Sequence, residues 1–156
     1  MIALVNKKEE RARGVALKVL LEVFENGAYS NIALNKELQA SQLSQADKRL
    51  VTELVYGTVA RKITLEWYLA HEIADRDQLD TWVYYLLLLS LYQILYLDKI
   101  PNHAIVNEAV NLAKRGRGAE KFVNAILRAF LNKPLPEITS IKRKNKRLSV
   151  QYSAPV

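Results

Sequence analysis

The sequence has no cysteine, two histidines, five glycines and four prolines among its 156 residues. Without cysteine there is no disulfide framework, zinc–thiolate site, iron–sulfur cluster or cysteine nucleophile. So few glycines and prolines argue against a glycine-rich phosphate or dinucleotide loop and against a turn-rich all-β fold. Long apolar runs are missing too. The most apolar stretch, residues 82–97, is interrupted by Ser90 and Gln93 and falls short of the ~20 residues a membrane span needs. It reads as a core helix. The first five residues are apolar but run straight into Asn6-Lys7-Lys8-Glu9-Glu10, the reverse of a secretory signal, where charge precedes a longer apolar segment. The chain is expected to be soluble and cytoplasmic.

What is present suits one domain. Half of the residues are hydrophobic, and a chain of this length buries enough surface for a core without staples. The hydrophobic pattern is helical almost throughout. Ala12, Ala16, Val19, Leu20 and Val23 share one face of a helix over 8–26, with Lys7, Arg11 and Lys18 opposite and Gly27 at its end. Lys18 has Glu22 four residues on as an expected partner. Ser30 is placed to cap a short helix near 31–40. Ser44-Gln45-Ala46-Asp47 is an Asp variant of the capping box and should open a long helix carrying Leu50, Leu54, Val55 and Val59 inward. Gly57 lies inside that helix at a cost of ~1 kcal/mol against Ala, which close approach of another helix would offset.

A helical run over 64–73 follows. Asp80 is placed to cap the helix over 81–97, which is apolar on nearly every side and so must be central. Pro101 ends it. Ile105, Val106, Ala109, Val110 and Ala113 define the next helix, which stops at Gly116-Arg117-Gly118. Phe122, Val123, Ile126, Leu127, Phe130 and Leu131 define the last. Beyond residue 132 the character changes, with Pro134 and Pro136 breaking helices and the basic run Lys142-Arg143-Lys144-Asn145-Lys146-Arg147 following. Residues 1–132 read as a helical domain and 133–156 as a basic linker or arm.

Catalytic groups are sparse. His71 and His103 have no second histidine at ligand spacing, and no nucleophile elbow is present. Asp75, Asp77 and Asp80 around Arg76 read as a solvated loop with a helix cap. Asn107 and Asn124, inside apolar helices, read as buried amides bonded between elements. Tyr84, Tyr85, Tyr92 and Tyr96 form a core stripe at helical spacing. No catalytic residue and no metal ligand is therefore assigned.

Charge carries more. Residues 1–65 have a net charge of +3, 66–108 of −5, 109–131 of +4 and 132–156 of +5, within a total of +7. Two basic ends flank an acidic middle, a pattern that can grip a polyanion if the ends meet in space. Lys7, Lys8 and Arg11 open the first helix. Lys114, Arg115, Arg117 and Lys121 straddle the turn before the last, where glycine backbone and guanidiniums suit phosphate. Lys114 and Arg115 also suit the C-terminal end of a helix dipole, and the two readings stand side by side.

Several strings resemble the NusB-like family: Arg11-Ala12-Arg13-Gly14-Val15-Ala16-Leu17, Tyr29-Ser30-Asn31, the run from Asp47 to Arg61, Ile100-Pro101, Asn107-Glu108-Ala109-Val110 and Phe122-Val123-Asn124-Ala125-Ile126-Leu127-Arg128. Within it, Leu65-Glu66-Trp67, Leu91-Tyr92-Gln93-Ile94-Leu95-Tyr96 and the tail Leu148-Ser149-Val150-Gln151-Tyr152-Ser153-Ala154-Pro155 resemble the N-terminal domain of the Sun/RsmB (Fmu) 16S rRNA 5-methylcytosine methyltransferases.

The resemblance implies an all-α fold of about seven helices in two packed three-helix bundles. It also implies RNA binding through the first helix, pointing to Arg11 and Arg13 beside Lys7 and Lys8. It implies a non-catalytic domain that holds 16S rRNA for a methyltransferase domain of the same chain, where S-adenosylmethionine would bind. Such a domain is expected to be a monomer that needs no cofactor of its own. The alternatives are an antitermination factor that binds leader RNA together with a small-subunit ribosomal protein, and a protein-docking module with no RNA role.

Overall fold

The structure, a computed structural model, describes residues 2–73, 75–116 and 118–132, with side chains from Arg11 onward. The expected arm over 133–156 lies outside the described residues. Among the described residues, seven α-helices and one 3-10 turn (Arg76–Gln78) account for the order of elements: α1 (Ile2–Asn26), α2 (Ser30–Ala40), α3 (Gln45–Ala60), α4 (Lys62–Ala70), α5 (Thr81–Tyr96), α6 (Asn102–Gly116) and α7 (Glu120–Leu131). No strand occurs among the described residues.

Local chemistry explains the boundaries. The Ser44 side chain accepts a hydrogen bond from the Asp47 amide at 3.1 Å and opens α3. Asp80 does the same for α5, accepting from the Trp82 amide at 3.0 Å. Such caps satisfy amides that the helix leaves without partners. The expected cap at Ser30 is not formed. Tyr29 holds the capping position without a side-chain bond, and Ser30 is the first helical residue. α1 and α6 end alike. Gly27 and Gly118 have φ of 72° and 65°, and the next amide, of Ala28 or Ala119, turns back onto the carbonyl of Glu22 or Ala113. A side chain would strain that left-handed turn. α4 stops at Ala70, before the expected 73, because the amides of His71 and Glu72 bond back to Tyr68 and Leu69 and tighten the last turn.

α5 is the axis. Every residue from Val83 to Gln93 is buried, and the helix packs against α1, α3, α4, α6 and α7. α1, α2 and α3 pack on one another as one three-helix group, and α5, α6 and α7 as a second, with α4 between α3 and α5. Leu86, Leu87, Leu88 and Leu89 are all essentially inaccessible, and truncating any one to Ala removes ~2–5 kcal/mol. Gly57 has the close neighbour its position demands. A β-carbon there would overlap the ring of Tyr92 from α5.

Polar contacts pin the loop before α5. Tyr84 donates to Glu66 at 2.6 Å. Arg76 pairs with Glu66 at 3.4 Å and lies over the Tyr84 ring. Burial, with Glu66 adding to it, pushes the Tyr84 phenol well above its ordinary value. Lys18 pairs not with Glu22 but with Glu37 of α2 at 3.2 Å. It thus fastens α2 to α1 across a partly buried contact that spacing within one helix could not show.

Candidate nucleic-acid interface

Arg11 is exposed on the first helix, beside the buried Ala12 and Ala16. Lys7 and Lys8 lie in α1, with side chains outside the described residues. Arg13 is a correction. It is 3% exposed, its Nε donates to Gln93 Oε1 of α5 at 2.8 Å, and its guanidinium faces Glu108 of α6 at 3.9 Å. Gln93 in turn donates to the Leu89 carbonyl at 3.1 Å. Arg13 therefore joins α1 to the second helical group and cannot reach an RNA without unpacking the core. Its place on the wheel next to Ala12 and Ala16 is the signal that marks it as inward.

The second cluster lies at the α6–α7 corner. Lys114 and Arg115 are exposed in the last turn of α6, where they also complement the helix dipole. Lys121 is exposed in the first turn of α7. Arg117 lies outside the described residues. The helices that carry Arg11 and Arg115, α1 and α6, pack together, and a β-carbon on Gly14 would sit 3.7 Å from Leu112. Arg11 and Arg115 are each three residues from that crossing, about 4.5 Å along their helix axes. Exposed cations from the first helix and the α6 terminus thus flank one helix–helix contact.

Groups for covalent chemistry are not assembled in the same way. His71 Nδ1 lies 2.9 Å from the Trp67 carbonyl, and its ring packs on that indole. His103 is exposed near the start of α6. Asp75 and Asp80 cap turns through Asp77 and Trp82. Among the described residues no group of three His, Asp or Glu side chains could hold a metal ion, and no helix is long and apolar enough to cross a membrane. Asn107 and Asn124 do not bridge elements as expected. Asn107 is exposed, and Asn124 accepts from Arg128 at 2.8 Å on its own helix. Sequence reasoning passed over a further set of cations, Lys48, Arg49 and Arg61, which line a groove along α3. They are spread round the helical wheel with Arg61 at the C-cap, so spacing along α3 gave no signal for them.

The sequence profile of the NusB family matches residues 10–132. The chain belongs to the NusB family. The "Probable ribosomal RNA small subunit methyltransferase B" of Bacillus subtilis (strain 168) is 40% identical to it over 150 residues, 95% of this chain and 34% of that protein. The protein of the same name from Synechocystis is 34% identical over 92% of this chain and 33% of its own length. Ribosomal RNA small subunit methyltransferase B of Thermus thermophilus is 33% identical over 80% of this chain and 31% of its own length. The chain thus spans about a third of the curated relatives it matches.

Among solved structures, the antitermination factor complex of NusB and NusE with double-stranded RNA superposes with a TM-score of 0.71 at 20% identity, covering 80% of this chain and 96% of that one. A chain in the structure of a plectonemic RNA supercoil gives a TM-score of 0.73 over 81% of this chain and 94% of that one, also at 20% identity. These confirm the all-α NusB fold.

Proposed function

We propose that this NusB-family chain is the RNA-holding, non-catalytic N-terminal part of a cytosine-5 methyltransferase acting on 16S ribosomal RNA in the cytoplasm. Methyl transfer and S-adenosylmethionine belong to a further domain of the parent chain. The observation that carries the reading is the 40% identity over 95% of this chain to a methyltransferase of which it spans only 34%. That coverage has to include most of residues 133–156. The NusB structures instead are nearly used up by 80% of this chain. This is also why the antiterminator reading takes second place, although the NusB–NusE–RNA complex shares the fold.

Physical chemistry agrees with a holding role. The cations flanking the α1–α6 crossing suit phosphates, whose contacts position a nucleic acid without reading its sequence. A nucleotide cofactor of the methyl-donor kind is commonly cradled by a strand, a glycine turn and a helix, and no such unit occurs among the described residues. These helices therefore do not fit that group, and no methylation step is assigned to them. Their part is to bring rRNA to the catalytic domain and brace it there, as a monomer.

The test is kinetic. In the parent enzyme, removing residues 1–132 should raise KM for rRNA by an order of magnitude or more while leaving donor binding intact. An unchanged KM for rRNA would exclude the holding role.

A further inference from the structure

A groove of about 850 Å³ runs along α3, on a surface the interface above does not use. Lys48, Arg49, Tyr56 and Arg61 line it from α3 and its C-terminal cap, and Tyr92 and Tyr96 line it from α5. Gly57 shapes its floor. With no β-carbon at that position, the Tyr92 ring settles directly on the α3 backbone. The Tyr92 and Tyr96 rings stack at 5.5 Å with 29° between planes, and the Arg61 guanidinium lies 4.6 Å over Tyr96. Tyr56 is 43% exposed. One acid, Glu53, also lines the groove, so the three cations leave it positive.

We propose that this groove is a second RNA subsite, which takes unpaired nucleotides by stacking bases on the exposed Tyr56 ring and the outer face of the Arg61 guanidinium while Lys48 and Arg49 hold the backbone. It rests on the RNA-holding reading above and adds the class of RNA. Two features select this occupant. The layer of buried Tyr92 and half-buried Tyr96 ends in the exposed Arg61 guanidinium, which together with the exposed Tyr56 offers a face to another flat ring, and base–aromatic stacking is indifferent to sequence. The bases of a duplex are stacked on one another and cannot present a free face to a ring at the bottom of a groove, so only single-stranded or bulged RNA can use it. A peptide would gain little from a cation-lined groove unless it were acidic.

The experiment measures affinity of this 156-residue chain for a single-stranded RNA and for the duplex of the same sequence. It compares wild type, Tyr56→Ala, Arg49→Glu and the triple variant Lys7→Glu/Lys8→Glu/Arg11→Glu. It is joined by cross-linking to RNA carrying 4-thiouridine. Tyr56 is exposed enough that Ala should fold, and a circular dichroism melt checks that it does. The expected result is a five- to 150-fold loss for Tyr56→Ala on the single strand, no change on the duplex, and cross-links on Tyr56 in the wild type.

If the triple variant loses RNA while both groove variants bind like wild type and cross-links fall elsewhere, the groove is not an RNA site and the α1 interface stands. If the groove variants lose RNA and the triple variant does not, the groove stands and the α1 interface falls. A wild-type chain that binds neither RNA overturns both.

Discussion

Two arginines two positions apart show how far one side chain's surroundings set its role. Arg11 is exposed, whereas Arg13 is buried between Gln93 and Glu108. Removing one partner of a buried charge pair leaves the other uncompensated, at about 3–5 kcal/mol. Arg13→Ala should therefore lower the urea midpoint sharply. RNA affinity per folded molecule should not change. Arg11→Ala should do the reverse, with stability within about 0.5 kcal/mol of wild type and weaker RNA binding. Equilibrium unfolding and RNA titration of the two variants check both.

Tyr68 is a second buried polar residue with a measurable signature. Its phenol is pushed up to about 12, chiefly by burial and further by Tyr96. The native state keeps that proton where the unfolded chain, with an ordinary value of 10.0, has begun to lose it. The unfolded state then binds fewer protons, so stability must fall as pH rises from 10 towards 12. The part of the tyrosinate absorbance that Tyr68→Phe removes should appear together with unfolding in an alkaline titration, and its appearance before unfolding would contradict the placement.

At the scale of elements, local rules carried the reading furthest. The cap at Ser44, the cap at Asp80 and the all-round apolar character of α5 are visible in the sequence because each depends on residues within a few positions. Two failures were local, the Ser30 cap that did not form and the early stop of α4, and the rest are of the other kind. Lys18 chose Glu37 over Glu22, and Arg13 turned inward to α5 and α6. Asn107 faced solvent. Each was decided by a helix distant in sequence, which one-dimensional spacing does not contain.

Gly57 was legible as a close approach, but its partner was not. This gives a prediction whose sign depends on a neighbour. Gly57→Ala should destabilise despite the ~1 kcal/mol gained in helix propensity, because the Tyr92 ring must leave its seat. In a Tyr92→Ala background the same change should stabilise by about 1 kcal/mol. Thermal melts of the two singles and the double give the comparison. The cap is a simpler case, and Ser44→Ala should cost about 1 kcal/mol.

Over the whole molecule the decisive pattern is charge. The sequence showed basic ends around an acidic middle, and the fold packs α1 against α6 so that Arg11 and Arg115 flank one crossing. The extent of the candidate site was only partly readable. The clusters themselves are contiguous in sequence, but the packing of α1 on α6 depends on Gly14 and Leu112 meeting. The groove along α3 depends on two helices whose facing residues are about 35–40 positions apart.

The central claim is that these cations hold RNA by its phosphates, and a salt titration of RNA affinity tests it most directly. With three to five phosphates contacted, log K for a single strand should fall against log salt with a slope of roughly −2 to −4. The Lys7→Glu/Lys8→Glu/Arg11→Glu variant should bind more weakly across unrelated sequences, with a slope shallower by about 2. An affinity indifferent to salt, or a triple variant with the wild-type slope, would contradict the account.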